Sequence, residues 1–139
     1  MYQNYVYHGN PVTLQSSIIA RNSVGIGATF AVDLGSDRAS TIAGANNLVG
    51  TADAVLTLPI DTLHGDPLLL PLGAYGGPTR THALGPTSPA IGAGNNAANL
   101  AFDQRGAGFP RVAGLAADIG AFESQGPLDG DLIFRDGFD

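Results

Sequence analysis

The 139-residue sequence contains no cysteine and no lysine. Without cysteine it can form no disulfide framework, no thiolate metal site and no cysteine nucleophile. Six arginines stand against twelve acidic residues, which gives a formal net charge of -6. Contacts with clustered phosphates need the opposite sign of charge, so this composition argues against nucleic acid as a partner.

Long apolar runs are absent as well. No stretch approaches the length of a membrane span, and the N-terminal residues MYQNYVYHGNPVT lack the positive flank and the apolar run of a signal peptide. We therefore expect a soluble chain without a membrane span, whose export signal lies upstream in a longer protein if it has one. No apolar stripe of helical period is sustained, which argues against the crossover helices of an α/β fold.

The residues that are present favour short strands. Hydrophobic residues make up 44% of the chain and charged residues 13%, so we expect a folded domain. Glycines and prolines divide the apolar residues into brief runs, and between residues 59 and 77 they favour irregular packing over a central strand. Six runs have the length and composition of strands: residues 4–8, 12–20, 28–34, 40–44, 47–50 and 54–58.

A weak repeat accompanies these strands. The segments SSIIARN, STIAGANNLVG, SPAIGAGNN and DIGAFES share a small polar residue, an aliphatic pair and often an asparagine. Their spacing is typical of a supersecondary unit that stacks on itself. Stacking predicts a column in which Asn22, Asn47 and Asn95 exchange amide hydrogen bonds. The alternative is that these asparagines are turn formers that tolerate a left-handed backbone.

Two segments of the C-terminal half carry a resemblance to a known family. Residues 66–97 read DPLLLPLGAYGGPTRTHALGPTSPAIGAGNNA, and residues 103–124 read DQRGAGFPRVAGLAADIGAFES. Together these motifs resemble the C-terminal signature of choice-of-anchor Q domain proteins, which are bacterial surface and secreted proteins. Tyr75 and Gly92 depart from the family pattern, which usually has a small polar residue and an aspartate at these positions.

The resemblance implies an all-β fold, a right-handed parallel β-helix in the pectin-lyase style, built as a single-stranded solenoid. Residues 1–66 would form coils, residues 67–124 the last coils and an irregular Gly/Pro-rich end cap, and residues 125–139 a tail. Prolines suit such a cap because they lack the N–H that would extend a sheet. Structural roles are expected for the motif residues Gly76, Gly77, Pro78, His82, Asp103, Arg105, Asp118 and Glu123.

Charged residues provide the candidates for binding. Asp103 with Arg105, joined by Arg111 and Asp118, either fixes a loop or binds sugar hydroxyls. His82 has no evident partner in the sequence, which favours a hydrogen-bonded structural role over acid–base catalysis.

Carboxylates provide the candidates for catalysis. Asp61 and Asp66 are the pair that glycoside hydrolysis would need, yet both precede turns, where aspartate is common. The aspartates of the tail do not match the spacing of a calcium-binding loop. We therefore expect no catalytic residue, no cofactor and no metal.

The resemblance favours a non-enzymatic stalk or adhesin-like scaffold in an exported bacterial protein, located outside the cell or on its surface. The alternatives are a remnant of a carbohydrate-active β-helix and a truncated fragment without an independent role. A groove with two carboxylates and an aromatic platform would favour the enzyme, whereas a smooth exterior would favour the scaffold. The expected partners are a surface glycan or another copy of the chain, bound through exposed coil edges.

Overall fold

A computed structural model describes residues 12–22, 32–36 and 38–125. These residues form an all-β structure without helices, and none of them belongs to a segment able to cross a membrane as a helix. The predicted strand at residues 4–8, most of the one at 28–34 and nearly all of the tail lie outside the described residues. The strands are β1 (Val12–Gln15), β2 (Ile18–Ile19), β3 (Ser40–Ala45), β4 (Leu48–Val49), β5 (Leu56–Thr57), β6 (Leu63–His64), β7 (Leu69–Gly73) and β8 (Thr81–Leu84).

The first six strands pair in parallel, in two three-stranded sheets. One sheet has the order β1-β3-β5 and the other the order β2-β4-β6. Strands that follow one another in the chain therefore belong to different sheets, and each sheet gains a strand when the chain returns. We call the passes through β1–β2, β3–β4 and β5–β6 rungs 1, 2 and 3. A parallel bridge between Leu34 and Ala52 adds a further pairing at the ends of rungs 1 and 2.

Strand β4 is covered on both faces. Leu48 and Val49 are adjacent, so their side chains point to opposite faces of the sheet, and both are completely buried. A parallel strand that lies between two other strands and is covered on both faces is expected to be apolar throughout. Strand β4 meets this expectation. In the other sheet, Ile42 of β3 is also buried.

The chain changes to antiparallel pairing after Pro67. Strands β7 and β8 form a hairpin whose register is interrupted between Leu69 and Leu72, around Pro71. The interruption fits the absence of an N–H on proline. The segment 59–77, which we expected to be irregular, thus contains β6 and β7, although both lie at sheet edges. Beyond β8 the described chain consists of turns and bends, apart from an antiparallel bridge between Phe102 and Pro110.

Residues 67–124 pack along the side of the parallel rungs. One apolar residue from each rung contributes to this interface, namely Ile18, Leu48 and Leu63. They pack in an apolar cluster with residues of the C-terminal part, among them Ala83, Leu84, Ala90, Ile119 and Phe122. The C-terminal part removes this row of apolar side chains from water. That burial is the main favourable free-energy contribution to the packing of this face.

Hydrogen bonds attach the same segment to rungs 1 and 2. Arg21 Nη1 donates to Leu69 O at 3.1 Å, and Asn46 Nδ2 donates to Ala93 O at 3.1 Å. A segment that contacts every rung lies beside the stack. The end cap expected from the sequence would cover the last rung, and this segment contacts rungs 1 and 2 as well.

Candidate functional site

The three asparagines predicted to form a column do not bond to one another. Asn22 N donates to Asp33 Oδ1 at 2.8 Å, and Asn22 Nδ2 donates to Asp33 O at 2.9 Å. Asn95 Nδ2 donates to Asn46 Oδ1 at 2.6 Å. The hydrogen bonds of Asn47 go to rung 1. The predicted exchange of amide hydrogen bonds is therefore replaced by three separate sets of contacts.

Asn47 is buried and joins rung 2 to rung 1. Its Nδ2 donates to Leu14 O at 2.9 Å, and its Oδ1 accepts from Ser17 N at 3.0 Å. Because β2, β4 and β6 pair in register, the residues that precede these strands lie side by side. The column at this corner of the rungs is therefore Ser17, Asn47 and Thr62.

A second column runs beside the first. It consists of Ser16, Asn46 and Asp61, and Asn46 N donates to Asp61 Oδ2 at 2.9 Å. Ser16 and Asn46 have positive φ angles of 45° and 54°, which is the backbone that asparagine tolerates well. Asn95 contacts both, since Ser16 Oγ donates to Asn95 O at 3.0 Å. The sequence contains this pattern as SSII, NNLV and DTLH, in which two polar residues precede an aliphatic one.

Five buried charged residues form one cluster, which we call the charged cluster: Asp103, Arg105, Arg111, Asp118 and Glu123, none more than 7% exposed. Arg105 Nη2 contacts Asp103 Oδ2 at 2.6 Å, and Arg111 Nη1 contacts Glu123 Oε2 at 3.0 Å. Arg105 Nη2 also donates to Glu123 O at 2.6 Å. The cluster thus contains the four charged residues that we expected to act together, with Glu123 as an additional acceptor.

The guanidinium of Arg105 lies between two aromatic rings. Its Cζ is 3.9 Å from the ring centroid of Phe109 and 3.8 Å from that of Phe122. Arginine is suited to this position because its flat, delocalised cation can stack on aromatic faces while it bonds to a carboxylate. The arrangement holds the loop that carries Asp103 against the end of the described chain.

Gly76 and Gly77 pack directly against Phe109 and Arg105. A Cβ on Gly77 would lie 2.7 Å from Arg105 Cα, and a Cβ on Gly76 would lie 2.5 Å from Phe109 Cζ. Gly76 also has a φ of 95°, which a residue with a side chain rarely adopts. Both glycines are therefore required by close packing, and Pro78 follows them at an exposed corner.

The carboxylates of Asp118 and Glu123 accept backbone hydrogen bonds. Asp118 accepts from Gly92 N at 2.7 Å and from Ser124 N at 2.6 Å. Glu123 accepts from Asp118 N at 2.9 Å and from Ala113 N at 3.0 Å. Burial has the largest effect on the pKa of Glu123 and raises it, while these N–H donors and the guanidinium partner act in the opposite direction.

The remaining candidates also have structural partners. His82 is exposed on β8, and its Nδ1 donates to Leu70 O across the hairpin at 2.7 Å. Asp66 Oδ1 accepts from Leu68 N at 2.9 Å and contacts Arg21 Nη2 at 3.2 Å. The Leu68 N–H is the main reason that the pKa of Asp66 is lowered.

Two surface grooves adjoin the charged cluster. The first, of about 430 Å³, is lined by residues that include Gln15, Asn95, Asn96, Leu100, Phe102 and Gln104, and by one carboxylate, Asp103. The second, of about 620 Å³, contains Asp118 and Glu123 but no aromatic residue. Neither groove combines two carboxylates with an aromatic platform.

Among the described residues, no group of three or more His, Asp or Glu side chains comes together in a way that could hold a metal ion. No protein-family model, curated protein or solved structure matches the chain significantly.

Proposed function

We propose that the chain is a non-enzymatic segment of an extracellular or cell-surface parallel β-helix, with a stalk or adhesin-like role in an exported bacterial protein. The parallel rungs support this fold, since in a β-helix the strands of one coil lie in different sheets and pair with the next coil. The bridge between Leu34 and Ala52 would be the third side of such a coil. A right-handed winding is part of the proposal.

The observation that carries the non-enzymatic assignment is the bonding of the carboxylates. Each acidic side chain in the described part of the chain accepts at least one backbone N–H: Asp33, Asp53, Asp61, Asp66, Asp103, Asp118 and Glu123. A general acid or base must in addition reach a proton on the substrate. Carboxylates bonded in this way fix the backbone of turns and of the corners between strands.

The carbohydrate-active alternative requires a different arrangement. Hydrolysis of a glycosidic bond needs two carboxylates on either side of the sugar. The groove with Phe102 contains the single carboxylate Asp103, which is paired with Arg105 and buried. The groove with Asp118 and Glu123 presents carboxylates that already have N–H partners. These contacts favour the scaffold.

Enzymatic activity can be tested directly. The purified chain is incubated with neutral and acidic polysaccharides, and new reducing ends and the ultraviolet absorbance of unsaturated products are measured. We expect neither to rise above the level of a heat-denatured sample. Product release that is lost in Asp61→Asn or Asp66→Asn would contradict the scaffold assignment.

Location is tested in the native host. Antibodies against this chain are applied to intact cells before and after brief treatment with an external protease. We expect surface labelling that the protease removes. Labelling that appears only after the cells are opened would rule out display at the surface.

A further inference from the structure

The groove of about 430 Å³ lies where the C-terminal part meets the corner of rung 1. We call it the Phe102 groove. Two of its apolar residues remain open to solvent, since Phe102 is 45% exposed and Leu100 is 54% exposed. Exposed apolar side chains inside a concave surface are typical of a ligand site, because a ligand can remove them from water.

Backbone contacts hold Phe102 in place. Its neighbours bond across the loop to residues on either side of Pro110: Asp103 N donates to Phe109 O at 3.0 Å, and Arg111 N donates to Ala101 O at 3.1 Å. Both Asp103 and Arg111 belong to the charged cluster. The aromatic residue is thus presented by a loop that buried ion pairs fix, which lowers the entropy lost when a ligand binds.

Leu100 is held in place by side-chain hydrogen bonds from Asn96. The side chain of Asn96 bonds twice to its backbone, since Asn96 Oδ1 accepts from Leu100 N at 2.9 Å and Asn96 Nδ2 donates to Leu100 O at 2.8 Å. The turn between these two residues is closed by these bonds. The Phe102 groove therefore has two preorganised apolar residues.

The polar lining of the groove is neutral. Asp103 and Arg111 are buried, and each has a partner of opposite charge within the charged cluster. The other polar side chains include four amides, on Gln15, Asn95, Asn96 and Gln104. An amide nitrogen carries two N–H groups, and those of Asn95, Asn96 and Gln104 use one each in the bonds described for this chain. Donors thus remain for hydroxyl groups.

We propose that the Phe102 groove binds a neutral saccharide. A pyranose ring has an apolar face that would cover Phe102 and Leu100, and hydroxyl groups that would bond to the amides. A charged sugar would meet no compensating charge there. The inference goes beyond the scaffold function and does not rest on it, because a glycan-binding groove requires neither parallel coils nor surface display.

Affinity electrophoresis of the full chain tests the proposal. The chain is acidic and migrates toward the anode, so native gels can contain dextran, mannan, xylan, mixed-linkage glucan or, as charged probes, pectate and alginate. We expect at least one neutral polysaccharide to retard the wild type. Phe102→Ala should weaken that retardation roughly tenfold in apparent Kd, whereas Phe102→Tyr should retain most of it.

Leu115→Ala is the matched control, because Leu115 is a fully exposed apolar residue that lines the other groove. It should bind as the wild type does. Circular dichroism shows whether Phe102→Ala remains folded, which we expect because the loop is held by backbone bonds of Ala101 and Asp103 and by the charged cluster, and the exposed ring of Phe102 takes part in neither. Retardation by charged polysaccharides alone, by none, or equally for Phe102→Ala would overturn the proposal and would leave the scaffold function untouched.

Discussion

Arg111 shows at the scale of one residue what a buried charge does in this protein. It bonds to the Glu123 carboxylate and, through Nη2, to Asp118 O at 3.0 Å. A buried ion pair adds little net stability because both charges lose their hydration. Removal of one partner is costly all the same, since the other charge stays buried and unpaired. The pair therefore specifies how the loop is placed.

Arg111→Met should lower the free energy of unfolding by about 3 kcal/mol near neutral pH, because Glu123 loses its counter-charge. Burial already raises the pKa of Glu123. A carboxyl with a raised folded pKa contributes stability below its ordinary pKa of about 4.3 and loses it as pH rises through the folded pKa. The deficit of the variant should therefore be smaller near pH 4.5 than at pH 7, as measured by urea unfolding at both values.

Arg21→Met is the matched control for this variant. Arg21 and Asp66 also form an ion pair, but 52% and 58% of their side-chain surfaces are exposed. Exposed pairs contribute little because water and salt screen them. The control should unfold close to the wild-type midpoint. A deficit of Arg111→Met that stays constant between the two pH values would contradict the role given to the Arg111 charge.

At the scale of the element, close approach of the backbone decides the pairing of β1 with β3. Leu14 and Gly44 are opposite each other in the register. A Cβ built on Gly44 would clash with Leu14 O, and Gly44 has a φ of 112°. Only glycine meets both conditions, because it lacks a Cβ and adopts positive φ freely.

Gly44→Ala should lower the free energy of unfolding by at least about 2 kcal/mol, because backbone strain and a steric clash occur together. Gly65→Ala separates the two effects. Gly65 has a similar φ of 116°, but no atom lies within 4 Å of its added Cβ. It should therefore show the cost of strain alone. Equal losses for the two variants in thermal unfolding would show that the contact with Leu14 is unimportant.

Asn47→Leu tests the column that joins rungs 1 and 2. Leucine has the same number of side-chain heavy atoms but leaves Leu14 O and Ser17 N without their side-chain partner, at a cost of about 2 kcal/mol. Asn22→Leu is the control, because Asn22 is exposed and its bonds to Asp33 stay near the surface. It should cost clearly less in urea unfolding. The opposite order would support a column that includes Asn22.

At the scale of the whole molecule, the C-terminal part is the cover of one parallel sheet. It buries the row of Ile18, Leu48 and Leu63, and it contains the charged cluster. Apolar area that loses its cover tends to associate with other chains. The two parts of the chain are therefore expected to depend on each other for solubility.

Deletion of residues 67–124 should produce a species that aggregates, because the row becomes exposed over three rungs. Light scattering and size-exclusion chromatography measure the result. Replacement of Ile18, Leu48 and Leu63 by threonine in the same truncated chain should reduce aggregation while keeping β-propensity. A soluble monomer from the simple deletion, with an unchanged β spectrum, would show that the cover is unnecessary.

Local patterns were good predictors of strands and poor predictors of their partners. The runs 12–20, 47–50 and 54–58 contain β1, β2, β4 and β5, and the run at residue 40 coincides with the start of β3. The repeat pattern in the sequence aligns SSII with STIA, whereas the strand register aligns SSII with NNLV. Because the two alignments differ, the predicted column does not include Ser17 and Thr62, which flank Asn47 in the structure. Strand β6 was missed because prolines and aspartates surround its two residues.

The amino-acid sequence by itself determined that the described part of the chain is all-β, because glycine and proline interrupt any run of helical length there and the apolar runs have strand length. It also identified the charged residues that belong together, since their motifs lie close in the chain. Only the tertiary structure decided which face of the rungs the C-terminal part covers and which atoms each carboxylate binds. Those choices depend on contacts between residues far apart in the chain, which local periodicity cannot specify.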